Sequence, residues 1–169
     1  VIVEPQLYIG AGDATPIVVN LDVIFSPADD MSVVAMFYTE YTNSFTTQDL
    51  SVLSNHLMGP EKRIVKLAYQ NSPAKTVWAL RSDGVLLALT YERAQEVFAW
   101  SRHVTQGKVV DMELIKEFGQ ERLHLLVERN IAGRWVICHE RMPLRVDNYP
   151  DDFFGVDCGY RRRGNIGTT

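Results

Sequence analysis

Histidine is the side chain that most readily gains or loses a proton near neutral pH. The chain contains four of them: His56, His103, His124 and His139. The last two lie in β-rich runs on either side of the turn Asn130-Ile131-Ala132-Gly133, and in the simplest hairpin register they face each other directly. Two facing imidazoles can share a metal ion, but no third ligand is placed beside them, although Glu128 and Glu140 are near in the chain. We therefore expect an ordinary polar sheet face and hold metal binding as the weaker alternative.

Paired acids and nucleophiles give no specific pattern for catalysis. Asp29-Asp30 and Asp151-Asp152 are adjacent pairs, which point to opposite faces on a strand and bond to nearby backbone amides in turns. A glycosidase needs two carboxyl groups that face each other across the scissile bond. Ser51 and Ser101 stand outside any G-x-S-x-G motif, and no glycine-rich phosphate loop is present. We assign no catalytic, cofactor-binding or metal-binding residue, and we expect no cofactor and no enzymatic activity.

The composition is that of a folded protein, with 169 residues, 46% hydrophobic and 22% charged, and a formal net charge of −4. Domains that bind duplex DNA usually carry a basic excess, which this chain lacks. The run Arg161-Arg162-Arg163 is expected to lie in a solvated tail, with contact to a phosphate or an acidic partner as the alternative.

Cys138 and Cys158 are too few for a disulfide framework, so we expect both to be buried free thiols. The sequence contains no run of 18 apolar residues, so we predict no membrane span. The chain begins with Val1 rather than Met, which favours a processed product or a segment of a longer protein.

Short β-rich runs separated by Gly, Pro and Asp fill the first third of the chain. The predicted strands are Val1–Ile9, Ile17–Phe25 and Met31–Tyr41. A change of pattern follows, because Leu50, Leu53 and Leu57 recur at helical spacing, Thr47 can cap a helix, and Gly59-Pro60 can end one. The sequence therefore predicts one short helix over Thr47–Leu57, followed by a strand over Ile64–Tyr69.

The stretch TVWALRSDGVLLALTYERAQEVFAWSRH, residues 76–103, is the most regular part of the chain. Asp83-Gly84 between apolar runs predicts a type I′ hairpin, in which Trp78 faces Leu89 and Leu80 faces Leu87. A three-residue bulged loop would shift these pairs by one residue. With Val97–His103 and Lys108–Ile115, four consecutive strands form an antiparallel meander, as in one blade of a β-propeller.

A second hairpin is predicted from Arg122–Arg129 and Arg134–Arg141. One face is expected to be core, formed by Leu123, Leu125, Val127, Val136 and Cys138. The opposite face is expected to hold Arg122, His124, Glu128, Trp135, His139 and Arg141. The chain divides into a β-rich segment 1–45, a propeller-blade-like β domain 46–160 and a flexible tail 161–169. Because this length cannot close a propeller, we expect other parts of a longer chain, or other subunits, to cover the sheets.

Five aromatic residues can either pack inside the protein or bind a partner. They are Trp78, Tyr91, Phe98, Trp100 and Trp135. Core or inter-sheet packing is the expected role, with stacking on a sugar or a partner protein as the alternative.

The run VWALRSDGVLLALTYERAQEVFAWSRH, followed by Gly107, a strand and LLVERNIAGRWVICHERM, resembles structural proteins of tailed phages and prophages. It is similar to the tail nozzle, or tail-tube closure, proteins of short-tailed phages. The upstream FTTQDLSVLSNHLMGPEKRIVKLAYQNSP and the downstream FFGVDCGY extend the resemblance over Phe45 to Tyr160.

This resemblance implies a non-enzymatic virion component that is made in the bacterial host cytoplasm and resides in the tail. It implies propeller-like β domains, an internal fragment of a longer chain, and a ring around the tail channel. The implied partners are other copies, other tail proteins, and DNA that passes without sequence-specific contacts. Two alternatives from other classes remain: a β-propeller-like module that binds a glycan or a cell-surface partner, and a hydrolase.

Overall fold

The computed structural model describes residues 8–143, and this part of the chain is mainly β. Its strands form three antiparallel sheets that follow one another along the chain. Sheet I comprises β1 (Ile17–Val19), β2 (Asp22–Phe25), β3 (Val34–Thr39) and β4 (Ser44–Asp49). Sheet II comprises β5 (Ile64–Gln70), β6 (Thr76–Arg81), β7 (Leu86–Glu92) and β8 (Val97–His103). Sheet III comprises β9 (Lys108–Glu117), β10 (Gln120–Ile131) and β11 (Arg134–Arg141).

Each sheet is a meander in which every strand pairs with the next strand along the chain. The predicted mainly β, blade-like class with antiparallel meanders is therefore confirmed. The division of the chain at residues 45/46 and 160/161 stays a prediction, and the segment 161–169 lies outside the described residues.

The three sheets are stacked face to face, with sheet II in the middle. On one side Val77, Ala79, Leu87 and Leu89 of sheet II share a core with residues of sheet I, including Ile24. The opposite side of sheet II contributes a second set of four residues: Trp78, Leu80, Leu86 and Ala88. These share a second core with Met112, Leu123, Leu125 and Val127 of sheet III. Since side chains alternate along a strand, every residue of β6 is buried.

The turn at Asp83-Gly84 corrects the predicted register. The loop has three residues, 82–84, and only Gly84 has a positive φ, of 82°. Arg81 and Val85 close it, because the amide of Arg81 donates to the Val85 carbonyl at 3.0 Å. The bulged alternative is therefore the correct one, and the type I′ turn was wrong.

The one-residue shift changes how the large apolar side chains are divided between the two faces of sheet II. Trp78 pairs with Ala88, Leu80 with Leu86, and Val77 with Leu89. Trp78 and Leu89, predicted to be partners on one face, thus lie on opposite faces. The Asp83 carboxylate favours the longer loop, because it accepts hydrogen bonds from Arg81 Nε at 2.9 Å and from the Val85 amide at 3.3 Å.

The boundaries of the predicted four-stranded blade were also wrong by one strand. The strand over Lys108–Ile115 exists, as part of β9, but it pairs with β10 in sheet III rather than with β8. Sheet II instead begins with β5, whose Leu67 pairs with Ala79 of β6. The chain leaves sheet II at Gly107, where φ is 150° and a Cβ would lie 2.4 Å from the Glu128 carbonyl oxygen.

The predicted helix over Thr47–Leu57 is not formed. β4 continues to Asp49, with Thr46 and Thr47 paired to β3, and only a 3₁₀ segment over Val52–Leu57 follows it. Leu50 and Leu57 are buried but Leu53 is 91% exposed, so the leucines do not form one apolar stripe. β-branched threonines favour the strand, and tertiary pairing prevails over helical spacing. A second 3₁₀ segment covers Arg93–Gln95.

A buried polar cluster joins sheet I to sheet II. The Tyr91 hydroxyl donates to Asp22 Oδ2 at 2.6 Å, and Arg93 Nη1 donates to Asp22 Oδ1 at 2.6 Å. The Arg93 guanidinium also lies 3.7 Å from the centre of the Phe37 ring. Burial, and then the hydrogen bond and charge of Asp22, raise the pKa of Tyr91 despite the opposing charge of Arg93.

Tyr91→Phe is expected to lower the free energy of unfolding by about 1–3 kcal/mol at pH 7, because the buried Asp22 carboxylate loses a donor. Urea unfolding measures this change. Tyr69→Phe is the matched control, since the Tyr69 hydroxyl has only an exposed contact of 3.4 Å with Asn71.

The difference in stability between the original chain and Tyr91→Phe should also depend on pH. The folded-state pKa of Tyr91 is raised, so its contribution is fully present below the unfolded value of about 10 and is lost as the pH rises further. The stability difference between the original chain and Tyr91→Phe should therefore narrow above about pH 10. A difference that is independent of pH, or a Tyr69→Phe effect of equal size, would contradict this role of Tyr91.

Candidate functional site

The outer face of sheet III, which points away from sheet II, carries the most concentrated set of chemically active side chains. Antiparallel pairing puts alternate residues of β9, β10 and β11 on this face. Its members include Asp111, Glu113, Ile115, Glu117, Arg122, His124, Leu126, Glu128, Trp135, Ile137, His139 and Arg141. The sequence predicted the two faces of this hairpin correctly, since Leu123, Leu125 and Val127 are buried on the opposite side. Val136 and Cys138 also lie on that side, but the prediction that they are core was wrong, because Val136 is exposed and Cys138 is half-buried.

The hairpin register differs from the prediction by two residues. The loop contains Ala132 and Gly133, with φ of 50° and 82°, as a type I′ turn requires. His124 therefore pairs with Arg141, and His139 pairs with Leu126. A shift of two residues keeps every side chain on its face but changes its partner, so the two histidines are diagonal neighbours rather than directly opposed.

His124 and His139 nevertheless meet. Their rings are stacked with centroids 5.0 Å apart, and His124 Nδ1 lies 2.9 Å from His139 Nε2. His124 is 9% exposed, whereas His139 is exposed to solvent. The other ring nitrogen of His124, Nε2, lies 3.1 Å from Glu117 Oε1.

Glu117 connects this pair to two arginines. Arg141 Nη1 donates to Glu117 Oε2 at 2.9 Å, and Arg122 Nε lies 3.4 Å from the same oxygen. Desolvation raises the pKa of Glu117, but the charge and hydrogen bond of Arg141, with the charges of His124 and Arg122, outweigh it and lower the pKa. The carboxylate therefore stays ionised and holds the basic side chains in place.

Glu117 also determines which nitrogen of His124 carries a proton. A carboxylate can only accept, so His124 Nε2 must donate to it. In the neutral ring, Nδ1 is then an acceptor and its lone pair points toward His139 Nε2. Glu117 was not predicted from the sequence, although Phe118-Gly119 is a signal for the turn beside it. These residues have φ of 48° and 82° and form the β9–β10 turn that brings Glu117 to the face.

A shallow cavity of about 160 Å³ opens beside the histidine pair. It is lined by His124, His139, Leu126, Asp111 and Glu113, among others. Within residues 8–143, no group of three or more His, Cys, Asp or Glu side chains is arranged to hold a metal ion.

The serine and aspartate candidates from the sequence contact neighbouring protein groups. Ser51 is buried, and its hydroxyl contacts Asp49 Oδ1 at 2.5 Å. Ser101 is exposed and lies 3.3 Å from His103 Nε2. Asp29 accepts from the Met31 amide at 3.1 Å, which confirms its turn role.

Of the other acidic, basic and thiol candidates, Asp30 and Cys138 lie within the described residues. Asp30 is buried beside Gly12, where a Cβ would lie 1.9 Å from its carboxylate oxygen. Cys138 is half-buried rather than fully buried. Three predictions fall outside the described residues: Asp151-Asp152, Cys158 and Arg161-Arg162-Arg163.

Four of the five candidate aromatics pack inside the stack. Trp78 and Tyr91 are buried, and the ring centroid of Phe98 lies 5.4 Å from that of Tyr91. Trp100 Nε1 donates to the Leu50 carbonyl at 2.9 Å. Trp135 differs, since it is 64% exposed on the outer face of sheet III. Of the five, Trp135 is therefore the one available to a partner.

No model of a known protein family matches this chain, and no curated protein matches it either. Among the described residues, no helix has the length and apolar character needed to cross a membrane.

The His124 tautomer is directly testable. Long-range ¹H–¹⁵N NMR of the neutral ring should show the His124 proton on Nε2 rather than on Nδ1, because Glu117 accepts from Nε2. Glu117→Leu removes the acceptor and should shift His124 toward a mixture of tautomers, while exposed His56 is unchanged. A His124 ring protonated on Nδ1 in the original chain would contradict the assignment.

Proposed function

We propose that this chain belongs to a structural component of a phage or prophage tail. It acts as a nozzle-like or hub-like assembly protein through protein–protein contacts around the tail channel. The resemblance over Phe45 to Tyr160 suggests this role, and the stack of blade-like meanders is an architecture suited to it. The parent chain, other copies or other tail proteins supply the neighbouring surfaces.

The observation that carries the proposal is that both ends of the stack expose apolar side chains. On the outer face of sheet I, Val18 is 64%, Tyr38 47% and Phe45 39% exposed. At the other end, on the outer face of sheet III, the exposed fractions are 64% for Trp135 and 56% for Ile137. Within the stack, faces of this kind are covered by the next sheet. A clustered apolar surface is typical of an interaction site.

The two exposed ends favour a head-to-tail arrangement. Sheet I of one copy and sheet III of the next are different surfaces, so their contact is heterologous, and repeated heterologous contacts form a ring when the rotation closes. In the described part of the chain, β11 pairs with β10 alone, so its other edge offers unpaired backbone groups to a neighbour.

The net charge is compatible with a channel wall. DNA that slides through a tail must not bind tightly, and phosphate binding by basic residues would hold it. A chain with a formal net charge of −4 supplies no strong, general attraction for DNA. We therefore propose that DNA passes this chain without sequence-specific contacts.

Light scattering across a tenfold concentration range tests the proposal. The expected result is a closed oligomer of constant mass, because sheet-on-sheet contacts bury the apolar ends. Trp135→Glu should reduce the mass toward that of the monomer, whereas Phe118→Glu should not, since Phe118 is 99% exposed at the β9–β10 turn. A monomer at all concentrations, or an oligomer indifferent to Trp135→Glu, would contradict assembly through these faces.

The exposed ring of Trp135 also favours a second candidate, a module that binds a glycan or a cell-surface partner. An exposed indole offers a flat apolar surface for a sugar, and Asn130, its cross-strand partner, offers hydrogen-bonding groups. A monomer that binds a glycan, and loses that binding in Trp135→Glu, would favour this candidate over assembly.

A further inference from the structure

The histidine pair lies on the same outer face of sheet III as Trp135, and the proposed assembly does not account for its defined geometry. His124 Nδ1 and His139 Nε2 converge to 2.9 Å. Two imidazole nitrogens cannot both turn lone pairs toward each other at this distance, because the lone pairs repel. A proton must lie between them, or the rings must bind a shared cation after a small rotation.

Glu117 prepares His124 for the second possibility. It holds the proton of His124 on Nε2 and so leaves Nδ1 free of a proton. A carboxylate that accepts from the distal nitrogen of a metal-binding histidine is the usual support for such a ligand, since it fixes the tautomer and makes the ring more basic. Glu117 is therefore a positioning residue in this arrangement.

The surroundings of the pair can accept a cation. The adjoining cavity of about 160 Å³ has room for water molecules on the cation, and Asp111 and Glu113 contribute to its walls. The three basic neighbours are each held by acids. Arg122 and Arg141 contact Glu117, and Lys66 Nζ lies 2.9 Å from Asp111 and 3.0 Å from Glu113. Three acids thus balance three bases, so no excess positive charge repels a metal ion.

We propose that His124 Nδ1 and His139 Nε2 form a two-imidazole site for a divalent first-row transition metal, with the other coordination positions open to water. Imidazole nitrogen suits Zn²⁺, Ni²⁺ and Cu²⁺. With two protein ligands rather than the four of a structural zinc site, the ion binds reversibly and the fold does not require it. The open positions leave room for a further ligand from solvent or from a neighbouring molecule.

The test is a titration of the metal-free full chain with Cu²⁺, followed by electron paramagnetic resonance, and with Zn²⁺, followed by calorimetry. Cys138→Ser and Cys158→Ser are made together as the background, so that thiols do not bind the metal. The expected result is one ion per chain, with hyperfine coupling to two imidazole nitrogens.

His139→Gln is the informative variant, because His139 is exposed and its replacement leaves the core intact. Loss of a residue that only supports a metal ligand typically lowers metal affinity by about tenfold or more. Loss of one of the two ligands themselves should lower the affinity by at least as much. The matched control is His56→Gln, because His56 is an exposed histidine outside sheet III. The His56→Gln protein should bind metal with the same affinity as the background. Circular dichroism confirms that each variant is folded.

Two outcomes would overturn the proposal. One is the absence of saturable binding up to millimolar metal, in which case the pair shares only a proton. The other is equal binding by His139→Gln and the original background, which would assign the ion to other residues.

Discussion

The structure depends on the burial of sheet II on both faces. Most surface sheets alternate apolar and polar residues, but β6 has no exposed position, and only Thr90 and Glu92 of β7 escape burial. Each large apolar side chain removed from water contributes about 1.5–3 kcal/mol before entropy is subtracted. Such a sheet is stable only between two others, so sheets I and III are required by the sequence of the middle one.

Polar contacts fix how the outer sheets sit on this centre. Asp22, Tyr91 and Arg93 join sheet I to sheet II in a largely buried cluster. On the other side, Trp78 Nε1 donates to Gln70 Oε1 at 3.0 Å, and Gln70 Nε2 donates to the Glu121 carbonyl of sheet III at 2.7 Å. Buried hydrogen bonds of this kind specify one alignment, because a shifted sheet would leave them unpaired. The exposed ion pairs of Lys66 contribute less, since water and salt screen them.

In sheets II and III the sequence predicted the strands and their faces better than their partners. In sheet I the predicted single strand Ile17–Phe25 was wrong, because a turn at Asn20-Leu21 divides it into β1 and β2. Alternation determines faces, so the core side of β10 was evident from Leu123, Leu125 and Val127. Register depends on loop length, and here the Asp83 carboxylate stabilises a three-residue loop while Ala132-Gly133 forms a two-residue loop. The leucines of residues 50–57 predicted a helix because spacing alone does not reveal that Leu53 faces solvent. The candidate site was partly predictable: the histidines were recognised, whereas Glu117 depended on the unrecognised Phe118-Gly119 turn.

The outer face of sheet III carries two roles, apolar contacts for assembly and a histidine pair for a metal ion, whereas the outer face of sheet I serves assembly alone. All of these roles require sheet II to be the centre. Native-state hydrogen exchange tests that requirement most directly. Amides of β6 and β7 should exchange most slowly, at the free energy of global unfolding, because their exposure requires both neighbouring sheets to separate. Slower exchange in sheet I or in β10 than in β6 and β7 would contradict the account.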